Sequence, residues 1–407
     1  MGVSCQKKLR VLYIAHRLPY PPNKGDKIRS FNIVTHLARQ HRVTLATLVD
    51  DAADIKWVPE LTTKVEQMLY ASIFQRFRRI FSARALLTGG AITNRFFYSE
   101  SLQEQLDSLL DKEKFDVLMC SSSPMAEYLF KSRHFEAGFK GAKRIIDLID
   151  VDSLKWAQYA EEAGPIRSWV YRSEAHSLAD FERRIYEYFD YLLLVSEQEK
   201  KHFPREDTQK RIFAIANGVD LDYFNPSNSR LAGGGTPTLV FTGMMDYWPN
   251  IDGVLWFVKE VFDIIKSEFP DVNLLVVGGR PDRRILRLDK IAGITVTGFV
   301  EDIRKYTAQA DVYIVPLRIA RGIQNKILEA MAMGKAVVGT PQALEGIGAT
   351  PGREVLVGES ATEFADEVIG LLRHRDLAKK LGASARTFVE RSHDWSMTLR
   401  ELDKLIC

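Results

Sequence analysis

The residues best placed to do chemistry lie between positions 311 and 340, in DVYIVPLRIARGIQNKILEAMAMGKAVVGT. A short apolar run, Val312 to Val315, is followed by a basic glycine-bearing loop, Arg318 to Gly322. A helical pattern carrying one acid, Glu329, comes next, and then a second apolar strand from Ala336 to Val338. A strand, loop, helix, strand unit of this kind puts free backbone N–H groups and arginines where a helix begins. That place suits a phosphate, because the helix N-terminus carries unpaired donors and a partial positive charge. Glu329 falls further along the same helix, where its carboxylate could accept hydrogen bonds from the paired hydroxyls of a ribose. Phosphate at one end and a ribose acceptor at the other describe a site for a nucleotide sugar. The plain structural alternative is a solvated glutamate on an ordinary α/β helix.

Five further clusters fall at strand ends. The loop after the opening strand holds Asn23, Lys24, Gly25, Asp26, Lys27 and Arg29; glycine permits close backbone approach and the basic residues suit phosphate. In DLIDVDS, residues 147–153, Asp150 or Asp152 could meet sugar hydroxyls or take a proton from one, although Asp152 and Ser153 read more readily as helix caps. Asn217 to Asp220, NGVD, reads chiefly as a turn. In TGMMDYWPN, residues 242–250, Gly243 permits close approach and the Asn250 amide would face a phosphate or cap the following helix; Trp248 reads as packing. In TGFVED, residues 297–302, Gly298, Phe299 and Val300 offer a flat apolar slot with backbone polar groups, which suits a nucleobase.

The elements that must position these residues alternate along the chain. Strands are predicted at Arg10 to Ala15, Val43 to Leu48, Asp116 to Cys120, Arg144 to Ile149, Tyr191 to Val195 and Arg211 to Ala216. Helices are predicted at Ser30 to Arg39 and Ile166 to Tyr188. After a Gly/Ser/Asn/Pro-rich break, a second series of strands follows at Thr238 to Thr242, Asn273 to Val277, Ile294 to Thr297, Val312 to Val315, Ala336 to Val338 and Glu354 to Val357. The fold class is therefore α/β: two doubly wound Rossmann-like domains facing across a cleft. The expected boundaries are 1–225 for an acceptor-binding domain, 226–237 for a linker and 238–392 for a nucleotide-sugar-binding domain. The last stretch, 393–407, is expected to pack back on the first domain.

The whole chain of 407 residues is 46% hydrophobic and 27% charged, with a net charge of +3, which is ordinary for a globular protein and too mild to argue for nucleic acid. Three scattered cysteines, Cys5, Cys120 and Cys407, fit a reducing compartment and argue against a zinc site or a disulfide framework. No apolar run has the length of a membrane span. Phe74 to Leu87, FQRFRRIFSARALL, interleaves arginines with aromatic residues and could lie on an anionic membrane surface or pack as an amphipathic helix. The expected location is cytoplasmic, with possible peripheral association at the inner face of the cytoplasmic membrane.

NGVDLDYFNP, TGFVEDI, ADVYIVPL and KILEAMAMGKAVVGT together resemble the retaining glycosyltransferases of family four, which have the GT-B fold. More narrowly, RLPYPPNKGDKIRSFN, IIDLIDVDSLKWAQYA and RIARGIQNKILEAMAMGKAVV resemble the sugar transferases linked to exosortase (PEP-CTERM) exopolysaccharide gene clusters. The resemblance implies a nucleotide-diphosphate sugar as donor and a glycan or lipid-linked hydroxyl as acceptor, with no metal or other cofactor. It implies that Glu329 binds the donor ribose, that Gly322, Ile323, Gln324 and Asn325 meet the diphosphate and donor sugar, that Phe299 and Val300 border the base, and that Gly25 lies near donor and acceptor. Two departures stand out. Arg321 occupies the position of the motif's first glutamate, and Met244 and Asn250 stand where the family carries an arginine and a lysine. Arg318, Arg321 and Lys326 are the candidates to supply the missing charge, with Asp150 as the catalytic candidate of the first domain. Asn23, Lys27, Arg29 and Asp147 are the acceptor-side candidates. A non-catalytic binding protein and a nucleotide-sugar epimerase or oxidoreductase are the alternatives; the second lacks a GxGxxG after its opening strand.

Overall fold

The computed structural model describes residues 7–73, 90–135, 139, 141–203, 211–228, 235–320 and 322–407. Phe74 to Leu87 and Arg321 thus lie outside the described residues. The chain divides into two compact units, Met1–Ala216 with Leu399–Cys407, and Asn217–Thr398.

The first unit is built on seven parallel strands: β1 (Arg10–Ala15), β2 (Arg42–Val49), β3 (Gln67–Ser72), β4 (Val117–Ser121), β5 (Lys143–Ile149), β6 (Tyr191–Leu194) and β7 (Ile212–Ala214), in the order β3-β2-β1-β4-β5-β6-β7. β1 is buried along nearly its whole length, as expected of a parallel strand covered on both faces. Chain order reverses between β1 and β4, so their carboxyl ends flank the switch point where open α/β sheets take ligands. β3 escaped the sequence reading because its burial is mostly partial and its apolar residues do not alternate.

The second unit has six parallel strands: β8 (Thr238–Thr242), β9 (Asn273–Val277), β10 (Ile294–Gly298), β11 (Val312–Val315), β12 (Val337–Gly339) and β13 (Leu356–Val357), in the order β10-β9-β8-β11-β12-β13. Its switch point lies between β8 and β11. The loops leaving these two strands are those that carry Gly243 and Arg318 to Gly322.

The units part company at Ala216, earlier than the expected 225, because the NGVD turn belongs to the second unit. Val219 N–H donates to His393 O at 2.7 Å, and Arg386 Nη1 donates to Phe224 O at 2.7 Å. At the other end only Leu399–Cys407 belongs to the first unit: Asp403 Oδ1 accepts from His36 Nε2 at 2.7 Å, and Lys143 Nζ donates to the carbonyls of Leu405 and Ile406 at 3.0 and 2.9 Å. The helix expected from Ser30 begins at Gly25 and runs to Gln40, which draws Asp26, Lys27 and Arg29 into its first turns. Cys120 is buried and free, whereas Cys407 is disulfide-bonded, although the scattered cysteines had argued against a disulfide framework. Spacing along the chain does not report which thiols meet in the fold. No helix among the described residues is long and apolar enough to cross a membrane.

Three acceptor-side candidates turn out to be structural. Arg29 and Asp147 are both fully buried and joined bidentately, Nε to Oδ2 at 2.7 Å and Nη2 to Oδ1 at 2.9 Å, and Arg29 Nη1 donates to Ile215 O at 2.8 Å. Lys27 is likewise buried, and its ammonium is taken by Asp54. The local motif suggested a ligand loop, but the early helix start turns these side chains into the sheet. Removing one member of a buried pair strands the other charge. Arg29→Met should therefore cost about 3–5 kcal/mol of stability, read as a lower denaturant midpoint; an unchanged midpoint would contradict the structural assignment.

Candidate functional site

The loop following β8 turns at Gly243, whose N–H donates to Val277 O at 3.0 Å. A Cβ at Gly278, in the loop after β9, would lie 1.7 Å from Gly243 O, so the two turns meet backbone to backbone and admit no side chain at Gly278. Beyond them are Gly279 and, after β10, Phe299. A Cβ at Gly279 would meet Phe299 Cβ at 3.8 Å and Met244 Cε at 3.9 Å. Phe299 is 79% exposed, and Val300 beside it is half-buried. A flat apolar ring thus stands exposed beside the glycine backbone at the carboxyl edge of the sheet.

The loop after β11 reaches Gly322, whose φ of 62° lies in the left-handed region that favours glycine. Ile323 is buried, Gln324 is the extended N-cap, and the helix Asn325–Ala332 begins without a side-chain cap. Ile327 N–H, in the first turn, donates to Gln324 O at 2.9 Å, and no side chain caps the N–H groups ahead of it. Asn325 is not wholly free: its Oδ1 accepts from Asn217 Nδ2 at 2.9 Å, so the NGVD turn props the start of this helix. That link was invisible in the sequence, where Asn217 reads only as a turn residue.

Lys326 and Glu329 stand one turn apart on this helix, so both side chains share a face. Each is surrounded by protein yet keeps part of its surface open to solvent. Lys326 Nζ donates to Asn250 Oδ1 at 2.6 Å and lies 4.4 Å from the centre of the Phe241 ring. Burial lowers the Lys326 ammonium to about 7, with Glu329 pulling it back up. Burial likewise raises the Glu329 carboxyl to about 7, with Lys326 opposing. The two groups thus titrate as a pair around neutrality.

Two expectations change here. Asn250 neither caps its helix nor faces outward. It is buried, its Nδ2 donates to Met244 O at 2.8 Å and its Oδ1 holds Lys326. Arg318 is bound bidentately by Asp252, at 3.0 and 2.6 Å, so its charge is already matched. Arg321 lies outside the described residues, and among those residues the Lys326 ammonium is held by a neutral amide oxygen, that of Asn250, where Arg318 is held by a carboxylate.

In the first unit, Asp150 follows β5 just after Ile149, which has a φ of 72°, strained for a β-branched residue. Asp150 Oδ1 is buried with no hydrogen-bond partner. Burial, with Glu199 and Asp152 adding to it, raises the carboxyl to about 6 against the pull of Lys155 and Arg29. Gly25 and Asn23 are exposed at the start of the first helix. A group that sequence reasoning missed lies beside them. His16 Nε2 and Arg17 Nη1 meet Asp26 Oδ2 at 2.9 and 2.6 Å, and Arg17 Nε donates to Asp50 Oδ2 at 2.9 Å. Burial pushes the Asp26 carboxyl up, but His16 and Arg17 together hold it well below the usual range. The signal was present: His16 directly follows β1 at the switch point, and Asp50 directly follows β2. No group of His, Cys, Asp or Glu among the described residues is arranged to hold a metal ion.

Residues 236–374 match the family model described as glycosyl transferases group 1. An uncharacterized 44.6 kDa protein in the cps region of Klebsiella pneumoniae is 19% identical over 396 residues, covering 95% of this chain and 96% of its own. An uncharacterized glycosyltransferase of Methanocaldococcus jannaschii is 28% identical over 182 residues, 41% of this chain and 44% of its own. Among solved structures, sucrose-phosphate synthase from Thermosynechococcus elongatus superposes with a TM-score of 0.73 at 17% identity, covering 98% of both chains. Anabaena HepE in complex with UDP-glucose superposes with a TM-score of 0.66 at 13% identity, covering 97% of this chain and 98% of its own. The fold is GT-B, and with its group 1 domain the chain is a transferase of the glycosyltransferase kind.

The paired titration has a consequence for stability. A folded-state pKa of Glu329 above its usual value means that stability falls as pH rises from about 4.5 to about 7. Lys326, lowered, makes stability rise again above about 7. Glu329→Gln should therefore be more stable than the wild type at about pH 8 and indistinguishable near pH 4.5, measured by denaturant unfolding at both values. Equal stability at the higher pH would contradict the buried-charge account.

Proposed function

We propose that the second unit binds a nucleoside-diphosphate sugar, with the ribose hydroxyls on Glu329 and the diphosphate between Lys326 and the uncapped start of the helix Asn325–Ala332. The observation that carries this reading is the pairing on one helix face of a carboxylate with no hydrogen-bond partner among the described residues and an ammonium held there by one amide oxygen. The base would lie against Phe299 and Val300. The solved structure of Anabaena HepE with UDP-glucose supports a nucleotide-sugar donor on this fold.

The reaction is transfer of the sugar to a hydroxyl acceptor. Lys326 and the helix N-terminus balance the charge that develops on the departing diphosphate, so no metal is required. Asp150, with its unpaired buried oxygen and raised pKa, is the first unit's candidate to accept the proton of the attacking hydroxyl. Retention of anomeric configuration follows from the resemblance to family four. The likeness to a cps-region protein supports a polysaccharide, and the resemblance to PEP-CTERM-linked transferases points to a lipid-linked exopolysaccharide unit. Phe74 to Leu87 would then rest on the inner face of the cytoplasmic membrane. Arg321 in place of a motif glutamate favours one rival, a binding protein without turnover, and turnover separates the two.

Purified protein with EDTA present should release nucleoside diphosphate slowly from one of the UDP-, GDP-, ADP- or TDP-sugars. Glu329→Ala should weaken binding of that nucleotide by about tenfold or more, as expected for lost hydrogen bonds to a charged group. Asp150→Asn should lower kcat while leaving donor binding unchanged. Tight binding with no release under any acceptor would favour the rival. Replacing Arg76, Arg78 and Arg79 by Gln should abolish cosedimentation with anionic liposomes; unchanged cosedimentation would remove the membrane contact.

A further inference from the structure

The ammonium of Lys326 has three donors, and the described residues fill one of them, through Asn250 Oδ1 at 2.6 Å. The Phe241 ring lies 4.4 Å away. The amide that makes this contact is itself fixed. Asn250 is 5% exposed, and its Nδ2 end is committed to Met244 O at 2.8 Å, so its oxygen end has to face the ammonium. Gly243 bounds the same pocket. A Cβ there would lie 2.7 Å from Asn250 Nδ2 and 2.9 Å from Lys326 Nζ. Three elements therefore converge on one nitrogen: the turn after β8, the helix Trp248–Trp256 that carries Asn250, and the helix Asn325–Ala332 that carries Lys326.

A lysine stem is flexible, and holding its head in one place costs side-chain entropy. An amide oxygen can hold an ammonium without cancelling its charge, which a carboxylate would do. This distinguishes Lys326 from Arg318, whose charge Asp252 matches. We propose that Asn250 is a positioning residue, whose carbonyl oxygen fixes the Lys326 ammonium beside Gly243 so that its two remaining donors meet the diphosphate of the donor. The assignment rests on the nucleoside-diphosphate reading above and adds to it the group that aims the cation.

The test compares a nucleoside diphosphate with its own nucleoside, because Asn250 acts on the phosphate end alone. UDP, GDP, ADP and TDP are titrated calorimetrically against the wild-type protein, and the one that binds is then paired with its nucleoside. Asn250→Leu and Lys326→Met should each weaken the diphosphate by about tenfold or more, as for loss of a hydrogen bond to a charged group. Nucleoside affinity should stay unchanged, which also reports an intact fold. The double variant should be no weaker than Lys326→Met alone, because both changes remove one interaction. Gly243→Ala, which crowds the same nitrogen from the other side, should reproduce the selective loss. Additive losses in the double variant, or a wild-type ratio of diphosphate to nucleoside affinity in Asn250→Leu, would overturn the positioning role. Failure of the wild type to bind any of the four diphosphates would instead remove the donor site itself.

Discussion

Two opposite charges placed in low-dielectric surroundings at a sheet's switch point are costly, and much of the second unit is arranged around that cost. Lys326 and Glu329 are each shifted toward neutrality by burial, and each is partly rescued by the other. A structural ion pair would close this cost with direct hydrogen bonds, as Arg29 and Asp147 do in the first unit. Here the ammonium turns to a neutral amide and the carboxylate keeps its acceptors. The pair is destabilising where it stands unless a ligand supplies the complementary groups, which is the usual signature of a binding site.

The contrast between the two units is instructive. In the first, the charged residues after β1 and β5 are mostly consumed by the fold: Arg29 with Asp147, Lys27 with Asp54, Arg17 between Asp26 and Asp50. These closed pairs fix the carboxyl edge of the sheet and leave Asp150 as a carboxyl with a buried oxygen that no described residue satisfies. In the second unit the glycine turns at Gly243 and Gly278 bring backbone against backbone, and side chains with spare hydrogen-bonding capacity gather where the strands end.

Much of this could be read before any coordinates. The apolar runs of the second unit report their strands because parallel strands buried on both faces need continuous hydrophobic residues. The helix that carries Glu329 and the glycine turn before it at Gly322 were legible from the apolar spacing that follows the glycine. What could not be read was the pairing of charges. Whether Arg29 serves a ligand or Asp147 depends on the helix starting five residues earlier than its serine suggested. Whether Asn250 faces a phosphate or a lysine depends on Lys326, 76 positions away. The disulfide at Cys407 and the prop between Asn217 and Asn325 are long-range events of the same kind.

The most direct test of the central claim is a crystal structure of the protein with the nucleoside diphosphate that it binds. The account requires the ribose hydroxyls within hydrogen-bond distance of the Glu329 carboxylate, and the phosphate oxygens at Lys326 Nζ and the N–H groups that open the helix Asn325–Ala332. A nucleotide bound in the reverse direction, or bound elsewhere with Lys326 still held only by Asn250, would contradict it.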